Sequence, residues 1–351
     1  MTLDAKMISR TDAEALIPEE YSREIIQNVP QQSRLLPMMR RLPNMSRKQY
    51  TIPVLSALPV ASFVNGEASG TTNTAGQKST TQAEWDGLTL TAEELAVIVP
   101  IPEAVLADAD YDIWGELRPQ IEEAFGVAID AAILNGTGKP TSWPTAIIPG
   151  AKAASNTVEV GTNKDLASDI IGVGGLMDKV ESDGYRVNGF FGAGAFEAQL
   201  RDTRTTDNSF LYIPSMTSGV PSTIIGRPVQ YDNQGIFNTT EALMVAGDWT
   251  KAVYSIRQDM TYKVLTEAVI QNTDGTIAYN LAQQDMVALR CVMRLGVQIA
   301  NPITRANATS STRYPFAVLT PAAARAAALS EVTEPTATAK TATAKTATAK
   351  K

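Results

Sequence analysis

Two extended segments separated by a polar tip constrain this chain more than anything else in it. Residues 50–64 read as a strand, Tyr-Thr-Ile-Pro-Val-Leu and then Pro-Val-Ala-Ser-Phe-Val. Residues 65–82 are rich in Gly, Thr, Ser and Asn, and residues 84–100 return as strand through Trp85, Leu88, Leu90 and the apolar run 95–99. The pattern is a large hairpin. Pro53 and Pro59 keep its first strand at an edge, because proline has no N–H to give to a ladder. A two-stranded hairpin is marginal in water by itself, so this one needs a partner surface.

The remaining patterns mix helix and strand, an α+β chain. Residues 102–107 fit a helical turn, and Asp112 is placed to open a longer helix. Within it, Ile121, Ala124, Phe125, Ala128, Ile129, Ala132 and Ile133 recur at spacings of three and four, which puts them on one face. Pro119 either kinks this helix or marks its first turn. Asn135-Gly136-Thr137-Gly138 stops it, since glycine takes the left-handed conformation of a helix end. Helices are expected at 163–183, where glycines weaken the pattern, and at 195–202. Short strands are expected near 187–191, 227–231, 242–246, 252–256 and 260–265. Residues 201–218 form a polar loop carrying Phe210-Leu211-Tyr212-Ile213. The clearest strand is 286–299, where Val287, Leu289, Cys291, Met293, Leu295, Val297 and Ile299 share a face. Cys291 there reads as a buried, inert thiol.

The two ends differ from this body. Residues 1–45 are broken by Pro18, Pro30, Pro37 and Pro43 and read as an extended arm with a short helix at 18–26. After Pro321 an alanine-rich stretch leads into Thr-Ala-Thr-Ala-Lys written three times. Such a segment cannot bury enough apolar surface to offset its ordering entropy, so it reads as a disordered tail.

Composition narrows function. The chain has 351 residues, 44% of them apolar, enough for two domains. It has one cysteine and no histidine. That leaves no internal disulfide, no cysteine–histidine zinc site and no imidazole base. No run approaches the ~18 apolar residues of a membrane helix, and the first residues do not resemble a signal peptide; a cytoplasmic origin is expected. Net charge is −7, unlike a general nucleic-acid binder. No cofactor is expected. Gly136-Thr-Gly-Lys139 superficially resembles a phosphate loop but ends a helix where such a loop must open one. The acids at 108–112 lack the spacing of a calcium loop. Charge is uneven: Arg34, Arg40, Arg41, Arg47 and Lys48 stand without an acid in 31–50, whereas 103–123 holds Asp108, Asp112 and Glu116 among other acids.

Several segments, in this order, resemble the tailed-phage major capsid family with the Hong Kong 97-like fold. Asp112-Ile-Trp-Gly-Glu-Leu-Arg-Pro through Ile129-Asp-Ala-Ala-Ile-Leu-Asn-Gly-Thr-Gly resembles the family's spine helix and its stop. Phe191-Gly-Ala-Gly-Ala-Phe resembles a strand-to-helix step in its axial domain. Ile225-Gly-Arg-Pro-Val, Gly247-Asp-Trp-Thr-Lys-Ala-Val-Tyr and Asp285-Met-Val-Ala-Leu-Arg-Cys-Val-Met-Arg follow. The resemblance covers residues 10–320 and implies a division of labour. Residues 1–45 would be the N-terminal arm and 46–98 the extended loop that lies over a neighbour. Residues 99–164 and 259–320 would be the peripheral domain, 165–258 the axial domain and 321–351 the tail.

The resemblance implies a virion protein, assembled in the bacterial cytoplasm. It would self-assemble into hexamers and pentamers of an icosahedral head around double-stranded DNA, which it would touch only non-specifically. Separate scaffold, portal and decoration proteins would be its partners, with no membrane; a fused scaffolding segment is not expected. Inter-subunit contacts are expected at Arg34, Arg40, Arg41, Lys78, Trp85, Asp108, Asp112 and Glu116, the arginines meeting the acids of a neighbour. Some members form a Lys–Asn isopeptide between subunits. Lys78 would supply the amine and Asn301 or Asn307 the acceptor, but with no acid evident beside either asparagine this bond is not expected. The alternatives are an encapsulin-like compartment around a cargo enzyme, against which the long arm speaks, and a carboxylate- or lysine-dependent enzyme, which has no convergent acid pair to support it.

Overall fold

The computed structural model describes residues 33–61, 63, 80–108, 112–203, 222–272 and 274–322. The expected helix at 18–26, Lys78, the apolar patch at 210–213 and the lysine-bearing repeats lie outside the described residues.

The chain enters along the body. β1 (Arg40–Arg41) is followed by β2 (Gln49–Ala57) and β3 (Glu84–Thr91), which pair antiparallel from Gln49↔Thr91 to Ala57↔Glu84. This is the ribbon, and Pro53 lies within its first strand opposite Gly87. Sequence periodicity reads 84–100 as one strand, but the structure divides it. Ala92 breaks the ladder, its N–H donating to Lys48 O at 2.8 Å. The chain then passes as β4 (Glu93–Pro102) into a different sheet. The ribbon ladder thus ends at Thr91, inside the 46–98 segment.

α1 (Glu103–Asp108) and α2 (Ile113–Leu134) come next. Asp112 does open α2, though its side chain makes no cap bond, and Pro119 lies inside the helix rather than at its start. Ile121, Phe125, Ile129, Ala132 and Ile133 are buried, as their spacing requires. At the far end the N–H groups of Asn135 and Gly136 both donate to Ala131 O, and Gly136 takes φ +85°.

α3 (Ile147–Ala153) and β5 (Thr157–Glu159) lead to α4 (Leu166–Ile171) and α5 (Leu176–Ser182). The sequence reading had one helix over the last two. Gly172 and Gly175 divide them, each sitting so close to backbone oxygens that a Cβ would come within 2.7 Å of one. β6 (Gly189–Ala193) runs into α6 (Gly194–Asp202), then β7 (Thr223–Ile224), β8 (Arg227–Asp232) and β9 (Met244–Gly247). Ile225 and Gly226 make the β7–β8 turn with φ of +49° and +69°. The two segments read as strands at 252–256 and 260–265 are a single bulged strand, β10 (Ala252–Leu265). A small hairpin, β11 (Val269–Gln271) with β12 (Ile277–Asn280), separates it from β13 (Met286–Ile299), and β14 (Phe316–Thr320) ends the body.

Two main sheets organise these strands. One has the order β1-β10-β13-β4; the other is β5-β14-β9-β6-β8-β7. The second draws β5 and β14 from outside residues 165–258. Its core is aromatic: Trp249 meets Phe316 edge-on at 5.0 Å between ring centroids, and Phe191 stacks on Phe237 at 5.3 Å. Phe190, Phe191, Phe316 and Trp249 are buried, each contributing roughly 1.5–3 kcal/mol of transfer free energy. β13 is covered on one face and partly covered on the other. Leu289, Cys291, Met293, Leu295 and Val297 share the main core with the apolar face of α2. On the reverse face, Met45, Leu90, Ala92 and Val253 form a second cluster with Leu42 and Ile52. The inner end of the ribbon therefore packs over the side of the sheet opposite α2.

Candidate assembly interface

The arm is fastened first. Ser33 Oγ donates to Asp130 Oδ1 at 2.5 Å, and the backbone N–H groups of Arg34 and Leu35 donate to Oδ2 at 2.7 and 3.4 Å. Asp130 lies on α2 and is fully buried, as is Leu35. Burial pushes the Asp130 carboxyl up to about 6, against the hydrogen bonds that favour its charge. β1 then pairs parallel with β10, Arg40 opposite Val253 and Arg41 opposite Tyr254. Leu42 N–H donates to Tyr254 O, Met45 N–H to Ile256 O, and Ser255 Oγ to Pro43 O. The arm thus occupies one edge of the four-stranded sheet and leaves Arg40 and Arg41 exposed, Arg41 donating to Asn44 Oδ1 at 3.2 Å.

The ribbon is held at both ends of its described length. Inside, Gln298 Nε2 donates to Thr89 O at 3.2 Å, and a Cβ at Gly296 would lie 3.0 Å from Thr91 O, so glycine admits the crossing. Outside, Ile303 N–H donates to Leu55 O at 3.2 Å and Arg305 Nη2 to Pro59 O at 2.7 Å. Between these points the ribbon is wet: Trp85 is 65% exposed and Phe63 fully so.

The segment 301–315 beneath the ribbon hangs on a buried polar network. Asp183 accepts from Asn156 Nδ2 at 2.8 Å, Asn307 Nδ2 at 2.8 Å and Tyr314 N–H at 3.0 Å. Arg313 donates to Asn301 Oδ1, Asn301 O and Asn307 O, each at 3.0 Å. Asn301 Oδ1 also accepts from Tyr185 Oη at 2.7 Å. Burial pushes the Tyr185 phenol up to about 12. An acid does therefore stand beside Asn307, correcting the sequence reading; no local pattern joins residue 183 to 307. The amides of Asn301 and Asn307 are both engaged in holding this segment.

The acidic stretch lies elsewhere on the surface. Asp108 and Asp112 are exposed at the end of α1 and the start of α2, and Glu116 is half-buried one turn on. Further along α2, Glu122 accepts from Tyr262 Oη at 3.1 Å, and the Arg118 guanidinium lies 5.7 Å from the Tyr262 ring centroid. These contacts tie the helix to β10. Cys291 is buried, and burial raises its thiol. Lys139 donates to Trp143 O at 3.1 Å from the end of α2, outside any phosphate cradle. Among the described residues no group of three or more acidic, Cys or His side chains is placed to hold a metal, and no helix is long and apolar enough to cross a membrane.

A long helix under a mixed sheet, an aromatic second sheet, a projecting ribbon and an edge-bound arm together define a shell-building subunit of the Hong Kong 97-like type. The model of the phage capsid family matches residues 13–308, and the chain belongs to that family. A solved structure from Microbacterium phage Oxtober96 is 38% identical, superposes with a TM-score of 0.76, and covers 90% of this chain and 99% of that one. One from Mycobacterium phage Cain is 30% identical, with a TM-score of 0.76 over 90% and 99% of the two chains. The major capsid protein of Staphylococcus phage 80alpha is 28% identical over 293 residues, 80% of this chain and 81% of that protein. The chain is a structural component of the virion, a major capsid protein of the head of a tailed phage, and not an enzyme. It works by associating with copies of itself.

Proposed function

We propose that the ribbon of each subunit lies over its neighbour within hexamers and pentamers, and that this overlap, with the arm, joins the head together around packaged DNA. The observation that carries the reading is the ribbon's partial coverage: bonded to its own body at Thr89 and Pro59, it leaves Trp85 and Phe63 in solvent. In this scheme the four-stranded sheet with α2 is the peripheral unit. The six-stranded sheet is the axial unit, extended beyond residues 165–258 by β5 and β14. Arg34, Arg40 and Arg41 face Asp108, Asp112 and Glu116 of a neighbour, and the Lys78 end of the ribbon reaches the same neighbour.

An exposed ion pair contributes only roughly 0–1 kcal/mol, so the charges act as a network repeated over a closed lattice. Separate scaffold, portal and decoration proteins act on these same surfaces, and DNA meets the lumenal face without sequence preference. The test is to replace Arg34, Arg40 and Arg41 together by Glu and image the products by electron microscopy, with thermal unfolding as the folding control. Loss of closed shells with unchanged unfolding supports the pairing; intact shells overturn it. In mature particles, denaturing electrophoresis should show one band near 37.6 kDa, since both asparagines are already engaged. A ladder would restore the isopeptide.

A further inference from the structure

We propose that docking of the Ser33–Leu36 segment onto α2 is proton-linked through Asp130, so that acid fastens the arm and neutral pH loosens it. The geometry comes first. A fully buried carboxylate in the last two turns of the long helix receives the arm's first described hydroxyl and two successive backbone N–H groups. Leu36 N–H in turn donates to Ser33 Oγ at 3.1 Å, and the N–H groups of Met38 and Met39 donate to Leu35 O, so the turn moves as a unit on Asp130.

The arm roofs a groove of about 430 Å³ instead of packing flush, with Ser33, Leu36 and Pro37 on one side and Phe125, Ile129 and Met293 on the other. Lifting this turn lets water reach Asp130 without disturbing β1 beyond it. The surrounding charges do little to stabilise a carboxylate. Asp232, on β8, is also buried and adds repulsion. Glu122 and Asp259 line the same groove, and Arg34 gives Asp130 its backbone N–H.

With the arm docked, the carboxyl is pushed up to about 6 from 3.8, with burial the largest cause. Released into water it returns toward the ordinary value, so docking takes up a proton between those two limits. The docking equilibrium therefore weakens as pH rises from about 4 to above 6, by up to ~100-fold. Leu35, fully buried beside Asp130, keeps the docked form dominant throughout. What changes is the population of the lifted form.

Hydrogen exchange of assembled shells of the full chain between pH 4.5 and 7.5, corrected for intrinsic rates, tests this. The opening constant of the amides at 34–39 should rise at least tenfold toward neutral pH, relative to those of β14. Asp130→Asn should abolish that dependence. Ser33→Ala removes a hydrogen bond that favours the ionised form and should move the midpoint to higher pH. A wild-type profile no steeper than that of β14 overturns the proposal even if neither variant assembles. So does an Asp130→Asn protein with the wild-type slope.

Discussion

Arg305 Nη2 donates to the carbonyl oxygen of Pro59 at 2.7 Å, across 246 residues of sequence, and fixes the outer end of the described ribbon to the segment that carries Asn301 and Asn307. The direction in which the ribbon leaves the body is thereby set by a contact with its own chain before any neighbour arrives. Arg305→Ala removes it. Because the group is exposed, subunit stability should fall by only about 0.5–1 kcal/mol. Hydrogen exchange at 52–59 should rise and the yield of closed shells should drop. Unchanged exchange in that stretch would show that Leu55 and its partner Ile303 suffice.

Asp183 has a larger effect because it is buried, together with its partner Asn156. Asp183→Ala leaves the Tyr314 N–H without its acceptor and takes one acceptor from each of the Asn156 and Asn307 amides, which keep Tyr314 O and Thr312 Oγ1. A stranded donor costs ~1–3 kcal/mol, so a loss of about 1–3 kcal/mol is expected by urea unfolding. Asp183→Asn keeps one acceptor and should recover part of it. A loss below 1 kcal/mol would mean that water replaces the carboxylate easily.

Ile225 points the other way. A β-branched residue at φ +49° is strained, and Ile225 with Gly226 occupies the two central positions of a turn that favours Asn-Gly. The side chain is 58% exposed, so little packing is lost on replacement. Ile225→Asn should stabilise the isolated subunit by about 1 kcal/mol. If the variant is destabilised, or folds normally but no longer assembles, the exposed isoleucine is itself a contact between subunits.

Acidity should act on the whole fold through Asp130. Its carboxyl binds a proton more tightly folded, at about 6, than unfolded, at 3.8. The stabilisation this supplies is full below the unfolded value and is lost as pH rises toward and past 6, up to about 3 kcal/mol. Asp130→Asn should remove that slope. Its urea midpoint is expected to equal or exceed the wild type at pH 7.5, with the advantage narrowing at pH 5. A variant that is weaker by the same margin at both pH values would assign Asp130 a purely hydrogen-bonding role.

Long periodic elements were legible from sequence because their pattern is local. The alternation at 286–299 marks β13, and the three-and-four spacing from Ile121 to Ile133 marks α2. What escaped depends on distance. Nothing near Ala92 announces that the strand changes partners there, since Leu90 and Leu95 are apolar on either side of the break. The second face of β13 is partly covered because a ribbon more than 190 residues away in sequence crosses it at Thr89, which the Arg290 and Arg294 on that face disguise. The interface residues divide in the same way. Trp85 could be singled out as a large aromatic on an edge strand. Asp130 and Asp183 look like ordinary helix and loop acids until their partners, 97 and 124 residues away, are brought to them.

The four-stranded sheet has an edge at each side, and each is partly blunted against backbone pairing. β10 carries the arm at Arg40, Arg41, Leu42 and Met45, while β4 ends in Pro100 and Pro102, which have no N–H to offer. Subunits crowded together before a shell forms therefore find fewer free strand groups to zip onto along this sheet, an association slow to undo. The fewer such pairings form, the more readily a subunit added at the wrong angle, held by side-chain contacts alone, can leave again.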